Sequence, residues 1–333
     1  MIKSITLSNF FSFAEKQTVT LDSHVNILIG INGSGKSNFI KAIELLSRGI
    51  EDGGAQEVID EWGGLHHVKN YKFYKDETPV ELTFTFDNFK YYLSLISKNK
   101  DEEAVLIEQE LSEDKSVESL RNEIKDIIVY SEMDVSKVRI EKITSNENNI
   151  RLTPSMNNLG SILYHLSVYY PDYETIKKLL KDINPHFNEL SFTTRNDNEV
   201  QVNLSENGFN TKTSLRNISK GTLKFLSLLA VLYNPNRGKI IFLKEPEQSL
   251  HPDMITAVAR GIKHSARTGT QMIVSTHSPF LLDFFLVDDV LVFEKNKNNE
   301  TRVIRKTEED YENWVNDYTT GDLWMSGKMG GVK

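Results

Sequence analysis

The chain has 333 residues, 39% apolar and 26% charged, with a formal net charge of -8 and no cysteine. That length and apolar content suit one large domain or two ordinary ones around a sizeable core, and exclude wholesale disorder. The missing cysteines exclude disulfides, cysteine–zinc sites, iron–sulfur clusters and thiol catalysis, and the acidic balance confines any nucleic-acid contact to a local basic face.

In chain order, residues 2–8 alternate as a strand, 18–22 form a second and VNILIG a buried third. A helix follows, with Phe39, Ala42, Ile43 and Leu46 on one apolar stripe. Residues 80–111 read as an antiparallel meander, and 112–150 are charged and poorly periodic, with room for a short helix and a strand. Two helices, 157–170 and 173–183, are separated by Pro171, and Val200, Val202 and Leu204 alternate as a strand. The remainder is α/β in pattern: helix 222–233, strand 239–243, helix 252–267 and strand 271–275. No repeat and no sustained heptad run occurs. The apolar run LLAVLY falls far short of the roughly 20 residues of a membrane span. The N-terminus lacks the apolar core of about 7–15 residues of a signal peptide. A cytoplasmic protein without membrane contact is expected.

Four stretches carry chemistry. GINGSGKS, Gly30 to Ser37, matches G-x-x-x-x-G-K-[ST] between a strand and a helix. The glycines let the backbone wrap so that its N–H groups converge on phosphate oxygens, and the helix N-terminus adds positive field. Gly30, Asn32, Gly33, Ser34, Gly35, Lys36, Ser37 and Asn38 form the expected ATP-binding set, Lys36 on the β- and γ-phosphates and the Ser37 hydroxyl on Mg²⁺. GDLWMSGK near the C-terminus is a decoy, because five residues separate its glycines and Met329 follows its lysine. IIFLKEPEQSLHP is a buried strand ending in Lys244 and Glu245, and a carboxylate there is placed to polarise an attacking water. STHSP follows the strand QMIVS; alone His277 is more often structural, but beside a phosphate loop and an acidic strand end it is expected to bond the γ-phosphate. Ser219 and Gly221 open an apolar helix, an anion-binding helix start that by itself is no more than a cap.

In this order the four stretches resemble the ABC-type ATPase head of RecF, SMC proteins and OLD-family nucleases. SKGTLKFLSLLAVLY, EPEQSLHP, STHSPFLLD and YTTGDLWMSGKMGG resemble more narrowly the compact prokaryotic AAA-family ATPases of the RecF/OLD-like group. The resemblance implies an α/β fold: an ABC-type, RecF/SMC-like P-loop ATPase head with an antiparallel β subdomain and a helical insertion. It implies a single head over 1–333, with lobe I over 1–111, the insertion over 112–215 and lobe II over 216–333. Gly30 to Ser37 would be Walker A, Ser219 to Thr222 the signature reaching a second subunit's nucleotide, Glu245 the catalytic glutamate, Glu247 to Leu250 the D-loop region and His277 the switch histidine. A Q-loop is expected near 61–70, where no glutamine stands. The largest departure is Lys244, where the family carries an acid that helps hold Mg²⁺.

With no coiled coil and no room seen for a TOPRIM nuclease, any effector is expected on another polypeptide, and the resemblance implies a homodimer or higher homo-oligomer that uses ATP and Mg²⁺. It would control a separate effector, nuclease-like or toxin, in antiphage defence. A RecF-like repair ATPase acting directly on nucleic acid, and a nucleotide-locked scaffold that hydrolyses almost nothing, are the other readings.

Overall fold

β1 (Ile2–Ser8) buries Ile2, Ile5 and Leu7. The step from Ile2 to Ile5 is out of phase with a strand's period of two, and a bulge between Ile2 and Ser4 restores the phase. The computed structural model describes residues 1–50, 53–73, 77–99, 102–111, 117–135, 141–142, 151–195, 199–208, 210–311 and 317–330. They form two compact units, 1–129 with 271–333, and 130–270.

In the first unit the chain turns tightly after β1: Phe10 and Phe13 bond each other's backbones, and the Asn9 N–H donates to the Ala14 carbonyl at 3.0 Å. Asn9 and Phe11 sit in the left-handed region at φ 53° and 47°. That conformation costs a bulky residue strain, here offset because Phe11 N–H donates to the Val68 carbonyl and Asn70 Nδ2 to the Phe11 carbonyl, both at 2.6 Å. β2 (Gln17–Thr20) returns antiparallel to β1. β3 (Val25–Ile29) is buried at every position, the mark of a strand covered on both faces. α1 (Lys36–Gly49) follows the glycine loop and buries the expected stripe Phe39, Ala42, Ile43 and Leu46. Short α2 (Gly54–Glu61) and α3 (Leu65–Val68) lead to β4 (Val80–Phe86), β5 (Lys90–Asn99) and β6 (Glu102–Leu111). The meander joins β1 and β2 in one antiparallel sheet of order β2-β1-β4-β5-β6. The helix and strand expected in 112–150 are α4 (Val117–Ile124) and β7 (Ile127–Tyr130); residues 112–116, 136–140 and 143–150 lie outside the described ones.

The second unit contains β8 (Glu141–Lys142), α5 (Leu159–Tyr169), α6 (Asp172–Ile183) and the hairpin β9 (Phe187–Arg195)–β10 (Glu199–Glu206). β11 (Thr213–Ser214) and β8 pair with β10. α7 (Lys220–Leu232) is buried continuously from Leu223 to Leu232, so it is a central helix rather than an amphipathic surface one. β12 (Ile240–Lys244) and α8 (Pro252–Arg267) follow. α7 packs on α8 where Gly261 leaves room, since a Cβ there would lie 2.8 Å from Leu232 Cδ1.

The chain then re-enters the first unit as β13 (Gln271–Ser275), α9 (Pro279–Leu282), the hairpin β14 (Val290–Lys295)–β15 (Thr301–Arg305) and α10 (Thr320–Met325). β13 and β14 flank β3 in parallel. Buried Gln271 fixes this return: its side chain bonds both the N–H and the carbonyl of Ile2, at 2.9 and 2.8 Å. Among the described residues no helix is long and apolar enough to cross a membrane.

Candidate functional site: a phosphate loop and a signature helix

The glycine loop leaves the carboxyl end of β3 and closes on α1. Gly35 is the helix N-cap at φ 109°, offers no capping side chain, and no acid stands in the first turn. The first N–H groups of α1 thus keep their positive field for an external anion. Ile31, Asn32, Gly33 and Ser37 are exposed, whereas Ser34, Gly35 and Lys36 are buried. The Lys36 ammonium arches back and donates to the carbonyls of Gly30 at 2.6 Å and Ile31 at 3.2 Å, so a cation lies within the loop's curve. The Ser34 hydroxyl is buried and has no hydrogen-bond partner among the described residues.

The loop is held from behind by residues that sequence reading missed. Thr301, at the start of β15, donates to the Ser34 carbonyl at 2.8 Å, and its hydroxyl shares a 2.6 Å bond with that of Ser12. Asn38 Nδ2 donates to the Ser12 hydroxyl at 2.7 Å, and the Thr301 N–H to the Ser12 carbonyl at 2.7 Å. A Cβ on Gly35 would lie 2.1 Å from Thr301 Oγ1, so glycine is demanded there by close approach as well as by its backbone angle.

β13 lies beside β3 with Ser275 opposite Leu28, and the Thr276 N–H donates to the Leu28 carbonyl at 3.1 Å. His277, next in sequence, therefore emerges at the same strand edge as the loop, half-buried, with its ring centroid 6.5 Å from that of Trp324. The decoy glycine Gly321 serves packing: its N–H donates to Asp283 Oδ1 at 2.9 Å, and a Cβ would lie 2.5 Å from the Pro279 carbonyl.

In the second unit, the Ser219 side chain caps α7 by accepting the Thr222 N–H at 3.1 Å. Ser219 is exposed and Gly221 half-buried. Glu245, just past β12, is half-buried at φ 45°, and Ser249 is at φ 65°. Glu245 and Lys244 line a cavity of about 450 Å³ with Glu132, Asp134, Lys224 and Gln248. Lys224 donates to the carbonyls of Glu245 at 3.2 Å and Gln248 at 3.0 Å. Loss of hydration lowers the pKa of its ammonium, while Glu247 and Glu245 raise it. A lysine inside the apolar run LKFLSLLAVL was the signal in the sequence that this helix carries more than a cap.

Among the described residues no three His, Cys, Asp or Glu side chains converge as a metal cage. A cation held mainly by phosphate oxygens and water, as Mg²⁺ is, would not need such a cage, and the exposed Ser37 hydroxyl is a group that could reach it.

Residues 25–283 match the family described as "AAA domain, putative AbiEii toxin, Type IV TA system". The Old nuclease of Escherichia phage P2 is 28% identical over 118 residues, which cover 35% of this chain and 19% of that protein. The chain thus spans about a fifth of that relative's length. In fold it is similar to the Smc head crystallised with the C-winged helix domain of ScpA, at TM-score 0.67 and 14% identity, covering 93% of this chain and 99% of that one. The Smc head with an extended coiled coil from Pyrococcus furiosus gives 0.64, 12%, 95% and 98%, and the SMC head from Thermotoga maritima 0.53, 15%, 92% and 99%. The fold is that of an ABC-type P-loop ATPase head. With more than three quarters of the chain matched, it belongs to the AbiEii-like AAA family of ATPases.

Proposed function

We propose that the chain is a cytoplasmic ATPase that closes on a second copy of itself around ATP and so controls a separate effector, nuclease-like or toxin, in prokaryotic antiphage defence. The observation that carries the reading is the pairing of a complete phosphate loop with an exposed, Ser219-capped helix start. In an ABC-type head that helix start serves a second copy's nucleotide, which makes the monomer an incomplete site. The similarity to part of the Old nuclease, and the binding of a ScpA domain by an Smc head of the same fold, support a head that works with an effector or partner protein.

In this reading Gly30, Asn32, Gly33, Ser34, Gly35, Lys36, Ser37 and Asn38 bind the triphosphate, and Ser37 also holds Mg²⁺, which when bound neutralises the β- and γ-phosphate charge. Glu245 orients the attacking water, His277 bonds the γ-phosphate, and Ser219 with Gly221 closes on the partner's nucleotide. Removing the Glu245 carboxylate stalls hydrolysis after binding. Light scattering of Glu245→Gln at saturating ATP should therefore show a dimer or larger, and a monomer, alone and with any co-purifying protein, refutes the proposal. Lys244 favours a second reading, a head that stays latched because it hydrolyses slowly.

A further inference from the structure

The loop after β12 is under backbone strain at both ends. Glu245 and Ser249 are not glycine, yet both are left-handed, at φ 45° and 65°. Such conformations persist only where the surroundings over-determine them. Within the loop, the Gln248 N–H donates to the Glu245 carbonyl at 3.2 Å and the Leu250 N–H to the Glu247 carbonyl at 3.1 Å. These local bonds, with one from the Gln248 side-chain amide to the Glu245 carboxylate, close the turn from within.

The N-terminal end of α7 anchors it from outside. Gly221 and Lys224 are three residues apart and share one helix face. At Gly221 a Cβ would lie 2.8 Å from the Ser249 carbonyl, so the helix backbone touches the loop directly. At Lys224, only 8% exposed, the ammonium reaches past that contact to the carbonyls of both Glu245 and Gln248. A buried ammonium bound to two main-chain carbonyls fixes a turn more strongly than neutral donors would. Lys224 sits two residues beyond Thr222, whose N–H the exposed Ser219 cap occupies.

We infer that Lys224 is a positioning residue that welds the Glu245–Ser249 loop to the start of α7, so that whatever engages the Ser219 end of the helix also sets the Glu245 carboxylate. The inference rests on the ATPase reading for the role of Glu245, but the weld itself does not depend on hydrolysis. Lys224 touches no reacting atom. It acts on the backbone that carries Glu245, and it turns two sequence motifs, read separately, into one rigid body.

The test uses the full chain. Lys224→Met keeps the bulk and removes the donors, whereas Lys224→Arg keeps donors and charge. Hydrogen exchange of a peptide covering 244–250 should quicken about tenfold in Lys224→Met, the loss of one to two charge-assisted bonds. The α8 peptide should stay at the parent rate, and Lys224→Arg should restore slow exchange. In the same proteins, kcat for ATP should fall about tenfold in Lys224→Met with KM nearly unchanged, and recover in Lys224→Arg. Unchanged exchange at 244–250 in Lys224→Met overturns the weld, as does exchange that quickens equally in α8. If exchange responds as expected but the parent shows no ATP turnover, the weld stands and the ATPase reading falls. Should Lys224→Met not fold, Lys224→Gln, with a shorter neutral donor, gives the same decision through the same peptide.

Discussion

Thr301 supports the phosphate loop through one hydroxyl. It is 4% exposed, donates to the Ser34 carbonyl and shares a short bond with Ser12, which in turn accepts from Asn38 on α1. Replacing that oxygen by a methyl leaves the Ser34 carbonyl without this donor in a buried place, a loss of about 1–3 kcal/mol. Thr301→Val should melt a few degrees lower and bind ATP about tenfold more weakly by calorimetry, because a loosened loop must be ordered on binding. Thr301→Ser keeps the hydroxyl and should bind like the parent. Equal ATP affinity in Thr301→Val and Thr301→Ser would show that the bracket stabilises the fold without shaping the loop.

At the level of elements, the loop's glycines are not equivalent. Gly33 is at φ 78° with nothing within 4 Å of a Cβ, so Gly33→Ala meets only the left-handed strain, about 1–2 kcal/mol. Gly35 at φ 109° combines strain with a Cβ 2.1 Å from Thr301 Oγ1 and 2.9 Å from Ser12 Oγ. Gly35→Ala must push the bracket away, so it should lose measurable ATP binding while Gly33→Ala folds with a small loss of stability. ATP binding at parent affinity in Gly35→Ala would contradict the close approach of Thr301 to Gly35. The two cases show what was legible in the sequence. Spacing alone located the loop, the α1 stripe, the meander and the parallel strands β3 and β13, because each depends on neighbours a few residues away. The bracket was illegible, since Ser12 and Thr301 are 289 residues apart and neither belongs to a motif. The link between Lys224 and Glu245 was hidden for a related reason: the helix start was read as a cap and the strand end as a carboxylate, while the bond between them runs through main-chain carbonyls that no side-chain pattern encodes.

For the molecule as a whole, the issue is how long an ATP-closed pair of heads would last. The family resemblance puts an acid at position 244, and this chain has Lys244, half-buried in a cavity shared with Glu132, Asp134 and Glu245. Exchanging a carboxylate for an ammonium reverses the sign of the local charge, so a side chain expected to attract a divalent cation repels one. The neighbouring carboxylates Glu132, Asp134 and Glu245 attenuate that field. On the proposed function ATP affinity would rest on the loop amides and Lys36, and should be spared. Hydrolysis, which needs the cation and the water correctly placed, should be slow, and the pair of heads should stay closed long enough to act as a latch. Lys244→Asp restores the acid. It should raise ATP turnover, lower the Mg²⁺ concentration needed for half-maximal rate, and shorten the life of the ATP-bound dimer on a sizing column, with ATP affinity nearly unchanged. A parent protein that already turns over briskly at low Mg²⁺, with Lys244→Asp no faster and its dimer no shorter-lived, would make Lys244 a tolerated neighbour and remove the reason to regard this head as a latch.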